Sequence, residues 1–105
     1  MIAVRIGTDE RDMTRDIDEQ WIHQQINRRR QDGEQVCVRV TIRETDAQVT
    51  LATPTCGGAG SGGRAPNATE REMIELWSKR GLNELSFTGG NLVAFLKQLR
   101  TLVGN

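Results

Sequence analysis

The alternation of branched apolar residues with Cys37, Arg39 and Thr41 between positions 36 and 42 constrains the fold more than any other feature of this sequence. The apolar positions are Val36, Val38, Val40 and Ile42. Because successive side chains of a strand point to opposite faces, this spacing predicts a strand with one buried face. The short link Glu44–Asp46 separates it from a second predicted strand over 47–53. So short a link predicts an antiparallel hairpin, since a parallel crossover needs about a dozen residues or more.

One more strand and three helices are predicted around this hairpin. Residues 2–7 alternate in the same way and predict a first strand. Capping residues and apolar residues at helical spacing predict helices over 16–31, 67–80 and 88–103, the first capped by Asp16. Gly81-Leu82 predicts a Schellman end for the second helix, and Ile74 and Leu102 are predicted on the apolar stripes of the second and third helices. The order β-α-β-β-α-α predicts an α+β, two-layer fold, a small three-stranded mixed sheet with helices packed on one face. The sheet is mixed because the 16–31 helix is long enough to connect parallel strands one and two.

Length and composition narrow the class of protein. A chain of 105 residues fits a single domain, 1–105. No apolar run reaches the roughly 20 residues that a transmembrane helix needs, and the N-terminal segment turns acidic too early for a signal peptide. Two cysteines are too few for a disulfide scaffold. Together with the lack of a long apolar run, this predicts a cytoplasmic protein without a membrane partner. The formal net charge of +0 argues against binding to bulk nucleic acid or to a membrane surface.

Glycine dominates the segment from 54 to 66. Its candidate site residues are Gly58, Gly60, Gly62 and Gly63. Their spacing matches a dinucleotide-binding loop, but Arg64-Ala65-Pro66 precede the next helix and no strand follows. A phosphate-binding P-loop would need lysine and then serine or threonine where this chain has Arg64 and Ala65. The segment is therefore interpreted either as a flexible, exposed linker or as an anion site of another kind.

The basic residues favour the anion interpretation. Only Lys79 and Lys97 of the 14 basic residues are lysine, and the others are arginine, through function or through codon usage. With strands one and two parallel, the run Arg28-Arg29-Arg30 is expected at the same end of the sheet as the glycine-rich loop. A planar guanidinium binds phosphate or carboxylate with two hydrogen bonds, and the start of the 67–80 helix adds free amides. The predicted ligand-binding residues are Arg28, Arg29, Arg64 and the four loop glycines.

Cys56 is a candidate nucleophile beside this loop. A thiol close to cations or to a helix N-terminus has a lowered pKa and is more reactive. The base that it needs would have to be His23, the single histidine, which is predicted on the polar face of the first helix. The alternative is an ordinary loop cysteine. One histidine and two distant cysteines do not make a zinc site, so no metal and no cofactor are predicted.

The sheet face opposite the helices is the second candidate surface. Arg5, Arg39, Thr41 and Arg43 are predicted there as partner-binding residues, together with Cys37, Gln48 and Thr50 and with no acidic residue. No aromatic residue is predicted on this face to stack on bases, which argues against nucleic acid as the partner. The face is interpreted either as a solvated surface or as a binding surface, for example for the acidic 9–19 segment of a second copy.

These features favour a small, non-catalytic binding or regulatory protein that acts through protein–protein interaction. One form of this function is a homodimer through the arginine-bearing sheet face. The alternative is a protein that binds a phosphate or carboxylate ligand, or a small enzyme, using residues 57–63, Arg64 and Cys56.

Overall fold

The computed structural model describes residues 1–44, 47–57, 68–83 and 88–103. They form four strands, a short 3₁₀ turn at Pro54–Cys56 and three α-helices. The strands are β1 (Ile2–Ile6), β2 (Asp9–Asp12), β3 (Val38–Glu44) and β4 (Ala47–Ala52), and the helices are α1 (Glu19–Gln31), α2 (Ala68–Lys79) and α3 (Gly89–Val103).

The four strands form one antiparallel sheet in the order β2-β1-β3-β4. The predicted α+β class and the β3–β4 hairpin are confirmed, whereas the three-stranded mixed sheet is wrong. Ile2 pairs with Ile42 and Ile6 with Val38, so β1 and β3 run in opposite directions. The physical reason is the additional strand β2, which returns the chain to the end where β1 begins. Helix α1 then leads to the other end, where β3 starts beside Ile6.

Strand β2 gave no periodic signal because all four of its residues are charged and exposed. The pairing of Ile6 with Asp9 leaves Gly7 and Thr8 as a two-residue hairpin loop. Gly7 has a φ of +64°, in the left-handed region that such loops require and that glycine adopts without steric cost. Glycine at the first position of a two-residue loop was therefore the one local signal for this hairpin.

The core lies between the helices and one face of the sheet. The predicted inward positions of β1 and β3 are buried, and Leu51 of β4 is buried while Val49 is half-buried. Met13 and Val93 are further core residues that the periodicity did not mark. Two residues predicted on apolar helix stripes, Ile74 and Leu102, are instead exposed. The buried hydrophobic side chains include Ile2, Val4, Ile6, Val38, Val40, Ile42, Ile22, Ile26, Met73, Trp77, Leu92, Phe95, Leu96 and Leu99.

Helix ends follow local hydrogen-bonding rules. The cap of α1 is Asp18, which accepts a hydrogen bond of 3.0 Å from the Trp21 N–H, and not the predicted Asp16, where the chain is not yet helical. The predicted Schellman end of α2 is confirmed, because the Gly81 and Leu82 amides donate to the carbonyls of Ser78 and Trp77. Leu82 is fully buried, so the chain folds back onto the core at this point.

Candidate protein-binding face

The sheet face opposite the core, which we call the open face, is built by alternation along the strands. Residues paired directly across two antiparallel strands point to the same side of the sheet. The even-numbered residues of β1 and the residues Val38, Val40 and Ile42 of β3 are buried. The odd-numbered residues of these two strands, and the residues paired with them on β2 and β4, therefore face outward. The open face carries Glu10, Asp12, Ala3, Arg5, Arg39, Thr41, Arg43, Gln48, Thr50 and Ala52. All predicted partner-binding residues therefore share this face, where the three arginines are exposed and Thr41 is half-buried.

Two arginines oppose each other on the two central strands of the open face, near the end where β3 begins. Arg5 of β1 pairs with Arg39 of β3, and like charges directly opposite each other weaken a sheet. Arg5 has a compensating ion pair, with Nε 3.5 Å from Glu10 Oε2. Arg39, in contrast, has no ion-pair or hydrogen-bond partner within the part of the chain that the structure describes. Its five N–H donors are therefore free to bind another molecule.

The expectation that the open face holds no acid is wrong. Strand β2 places Glu10 and Asp12 on it, beside Arg5 and Ala3. The Asp12 carboxylate accepts hydrogen bonds from the Thr14 hydroxyl and from the Thr14 N–H, the latter 2.8 Å long. These two hydrogen bonds lower the pKa of Asp12 below its ordinary value of 3.8. The face is thus acidic at β2, basic along β1 and β3, and uncharged at the described β4 positions.

A disulfide between Cys37 and Cys56 marks the end of the open face where β3 begins, with its Cα atoms 4.6 Å apart. Cys56 therefore offers no thiol in this structure, which contradicts its role as a nucleophile. His23, the predicted base, lies against Gly89 at the start of α3. A Cβ atom added to Gly89 would be 2.7 Å from His23 Nδ1. The separation of 19 residues gave no sign of this pairing, since only the turn after β4 brings Cys56 next to Cys37. Cytoplasmic location stays a prediction, and a disulfide is more typical of oxidising compartments.

Hydrogen bonds hold the turn that carries Cys56 independently of the disulfide. Thr53 is buried, and its Oγ1 accepts a hydrogen bond of 3.0 Å from the Val38 N–H. The Thr55 hydroxyl donates to the Val36 carbonyl and lies 2.8 Å from Thr53 Oγ1. These side chains therefore add to the backbone hydrogen bond from the Thr53 N–H to the Val38 carbonyl in fastening the end of β4 to the start of β3.

The predicted anion site falls mostly outside the described residues, where Gly58, Gly60, Gly62, Gly63 and Arg64 lie. Helix α1 ends at the same end of the sheet as β4, as predicted. The reason is different, because β1 and β3 are antiparallel and not parallel. Arg28 is exposed there. Arg29 is engaged within the chain, with Nη2 3.0 Å from Asp9 and Nη1 3.4 Å from Glu34.

The remaining features add no further site. A cleft of about 360 Å³ at the other end of the sheet is lined by Met1, Asp12, Thr14 and Arg15. Within the described ranges, no three histidine, cysteine or acidic side chains are grouped so as to hold a metal ion. None of the described helices is long and apolar enough to cross a membrane.

The fold and the open face define an α+β protein with a four-stranded antiparallel sheet. No known family, curated protein or solved structure matches this chain.

Proposed function

We propose that this protein is a small, non-catalytic binding or regulatory protein whose open face binds an acidic segment of a partner protein. The observation that supports this most is Arg39, which is exposed, opposite Arg5 and without a partner among the described residues. Such a pair costs stability in the isolated chain, and a carboxylate bound between the two guanidinium groups removes that cost. Arginine is well suited to this role because it binds carboxylates with two parallel hydrogen bonds.

The acidic 9–19 segment of a second copy is a poor candidate for this partner. Most of its carboxylates are already engaged within the chain. The pairs are Asp9 with Arg29, Glu10 with Arg5, Asp12 with Thr14, Asp18 with Arg11, and Glu19 with Lys97. Binding two copies through this segment would exchange existing ion pairs for new ones with little net gain. These contacts favour a different protein, with a homodimer through the open face as an outcome that the experiment must detect.

The size of the open face indicates weak and salt-sensitive binding. Four strands spaced about 4.8 Å apart, with about five residues each at 3.4 Å, span roughly 300 Å² in projection. This is well below the area of about 800 Å² per partner in a standard stable interface. Binding through exposed charges is screened within about 8–10 Å at physiological salt. We therefore expect transient complexes whose affinity falls as the salt concentration rises.

The experiment uses a fluorescently labelled decamer of glutamate as an acidic probe, with a lysine decamer as its counterpart. Fluorescence anisotropy at 20 and 150 mM salt measures binding to the wild type, to Arg39→Glu and to the control Arg71→Glu. Arg71 is exposed on α2, so the control makes the same charge change away from the open face. We expect at least a tenfold loss of affinity for Arg39→Glu and under twofold for Arg71→Glu. Equal losses, or no binding by the wild type at 20 mM salt, would refute the proposal.

Amide NMR shifts separate the open face from the alternative site. Titration with the glutamate decamer is expected to move the amides of Arg5, Arg39 and Thr41. Titration with inorganic phosphate tests the anion-binding alternative, in which residues 57–64 would respond instead. Sedimentation of the wild type and of Arg39→Glu shows whether a second copy occupies the open face, since a dimer has twice the 11.7 kDa mass of the chain and only a dimer through this face should be lost in the variant.

A further inference from the structure

We propose that β4 is the pairing edge of the sheet and that a second copy of this chain binds there, strand to strand. Strand β4 is last in the order β2-β1-β3-β4, and no described residue pairs with its outer edge. The Thr53 N–H donates to the Val38 carbonyl, so the odd-numbered residues of β4 bond inward to β3. By alternation, the backbone N–H and C=O groups of Gln48, Thr50 and Ala52 point away from the sheet.

The two edges of the sheet differ in charge. Strand β2 has the sequence Asp-Glu-Arg-Asp with all four residues exposed, which is one of the ways in which natural sheets prevent edge pairing. Strand β4 has the sequence Ala-Gln-Val-Thr-Leu-Ala, without charge and without proline. It also lacks the lysine that commonly protects an exposed edge strand. Of the two edges, only β4 is therefore suited to pair with another strand.

The sequence of β4 is complementary to itself. An antiparallel pair about a twofold axis at Thr50 places Gln48 opposite Ala52 of the second copy, at hydrogen-bonded positions. On the core side it places Val49 opposite Leu51 of the second copy, at the positions where side chains approach most closely. Val49 is half-buried in the single chain, so pairing covers apolar surface that is still exposed. No charged residue meets a like charge, because β4 contains none.

This dimer is independent of the proposed function, since it uses the backbone edge and leaves Arg5 and Arg39 uncovered. Its twofold axis is perpendicular to the sheet, so the open faces of both copies lie on the same side. Pairing thereby extends the sheet to eight strands and doubles the arginine-bearing surface available to a partner.

Substitutions at Thr50 test the pairing, because its side chain is exposed and lies next to its own copy at the axis. Analytical ultracentrifugation at 0.01–1 mM measures the mass of the wild type, of Thr50→Lys and of Thr50→Glu. We expect a concentration-dependent dimer for the wild type and at least a tenfold weaker dimer for either variant. A mixture of the two variants should recover the dimer, because opposite charges then meet. Gln24→Lys, an exposed change on α1, is the control and should dimerise like the wild type.

Amide hydrogen exchange reports on the same edge in the unmodified protein. The Gln48, Thr50 and Ala52 amides should exchange at least tenfold more slowly at 1 mM than at 0.01 mM. Arg39→Glu should leave this protection unchanged, which separates the edge dimer from association through the open face. A wild type that stays monomeric at 1 mM would overturn the proposal. So would dissociation by Gln24→Lys, or a dimer without protection of these three amides.

Discussion

Removing the Cys37–Cys56 disulfide should lower the free energy of unfolding more than removing any one of the hydrogen bonds around it. The perturbation is the double substitution Cys37→Ser and Cys56→Ser. The disulfide joins residues 19 apart, and the chain-entropy relation gives about 3 kcal/mol of stabilisation for a loop of this size. That stabilisation comes mainly from restricting the unfolded chain, so its size depends on whether the folded geometry survives without the bond.

The surrounding hydrogen bonds indicate that the folded geometry does survive. Thr53 and Thr55 connect the end of β4 to Val38 and Val36 without using either sulfur. The double variant should therefore keep its fold and lose close to the full 3 kcal/mol or so. In a domain of about 100 residues, each kcal/mol shifts the melting temperature by about 4–8 °C. We expect the midpoint to fall by about 12–24 °C.

Urea unfolding followed by tryptophan fluorescence measures this loss, because Trp77 is buried in the core and becomes exposed on unfolding. The wild type with and without a phosphine reductant provides the same comparison without mutation. Thiol titration of the denatured, unreduced wild type is the control and should detect no free thiol. A loss below about 0.5 kcal/mol with the disulfide confirmed would refute the loop-entropy reasoning. Two free thiols would show that the bond is absent.

Three further predictions concern individual residues. Gly7→Ala should destabilise by about 0.5–1 kcal/mol more than Gly33→Ala in urea unfolding. Both glycines have positive φ, but a Cβ at Gly7 would overlap the Arg29 guanidinium and push it from its carboxylate partners, whereas Gly33 faces open space. Thr53→Val should cost about 1–3 kcal/mol, because the N–H at the start of β3 loses its acceptor, while Thr53→Ser keeps it and costs less. Thr14→Val should raise the pKa of Asp12 towards 3.8 in an NMR titration. Because the folded pKa is lowered, ionised Asp12 stabilises the fold above pH 3.8 and this contribution disappears as the pH falls through the folded pKa, so Thr14→Val should weaken the acid dependence of stability.

The β3–β4 hairpin and its two faces were predictable because their information is local. Burial on one side of an antiparallel pair imposes a period of two on the sequence, and Val38 and Arg39 show it directly. The same holds for the Schellman end at Gly81, where a glycine followed by an apolar residue is sufficient. Features that depend on one or two neighbouring turns of chain were therefore accessible without a structure.

The direction of β1 relative to β3 was not predictable in this way. It depends on whether a strand intervenes, and β2 has no apolar residue that could show a period. A helix between two strands then suggested a parallel crossover, although β2 had already reversed the chain. The disulfide was not predictable for a related reason, because its two cysteines meet only after the hairpin and the turn at Pro54–Cys56 are in place.

The same missed strand also decides which arginine is available to a partner. The sequence predicted an anion site at the run Arg28-Arg29-Arg30, because three adjacent arginines concentrate positive charge. In the structure, Arg29 is held by Asp9 at the start of β2. Arg5 is compensated by Glu10 on that same strand, while Arg39, one strand further in, is beyond its reach. On the open face, the availability of an arginine for binding thus follows from cross-strand register. A net charge of +0 therefore conceals a guanidinium group on the open face, that of Arg39, whose charge no described residue compensates.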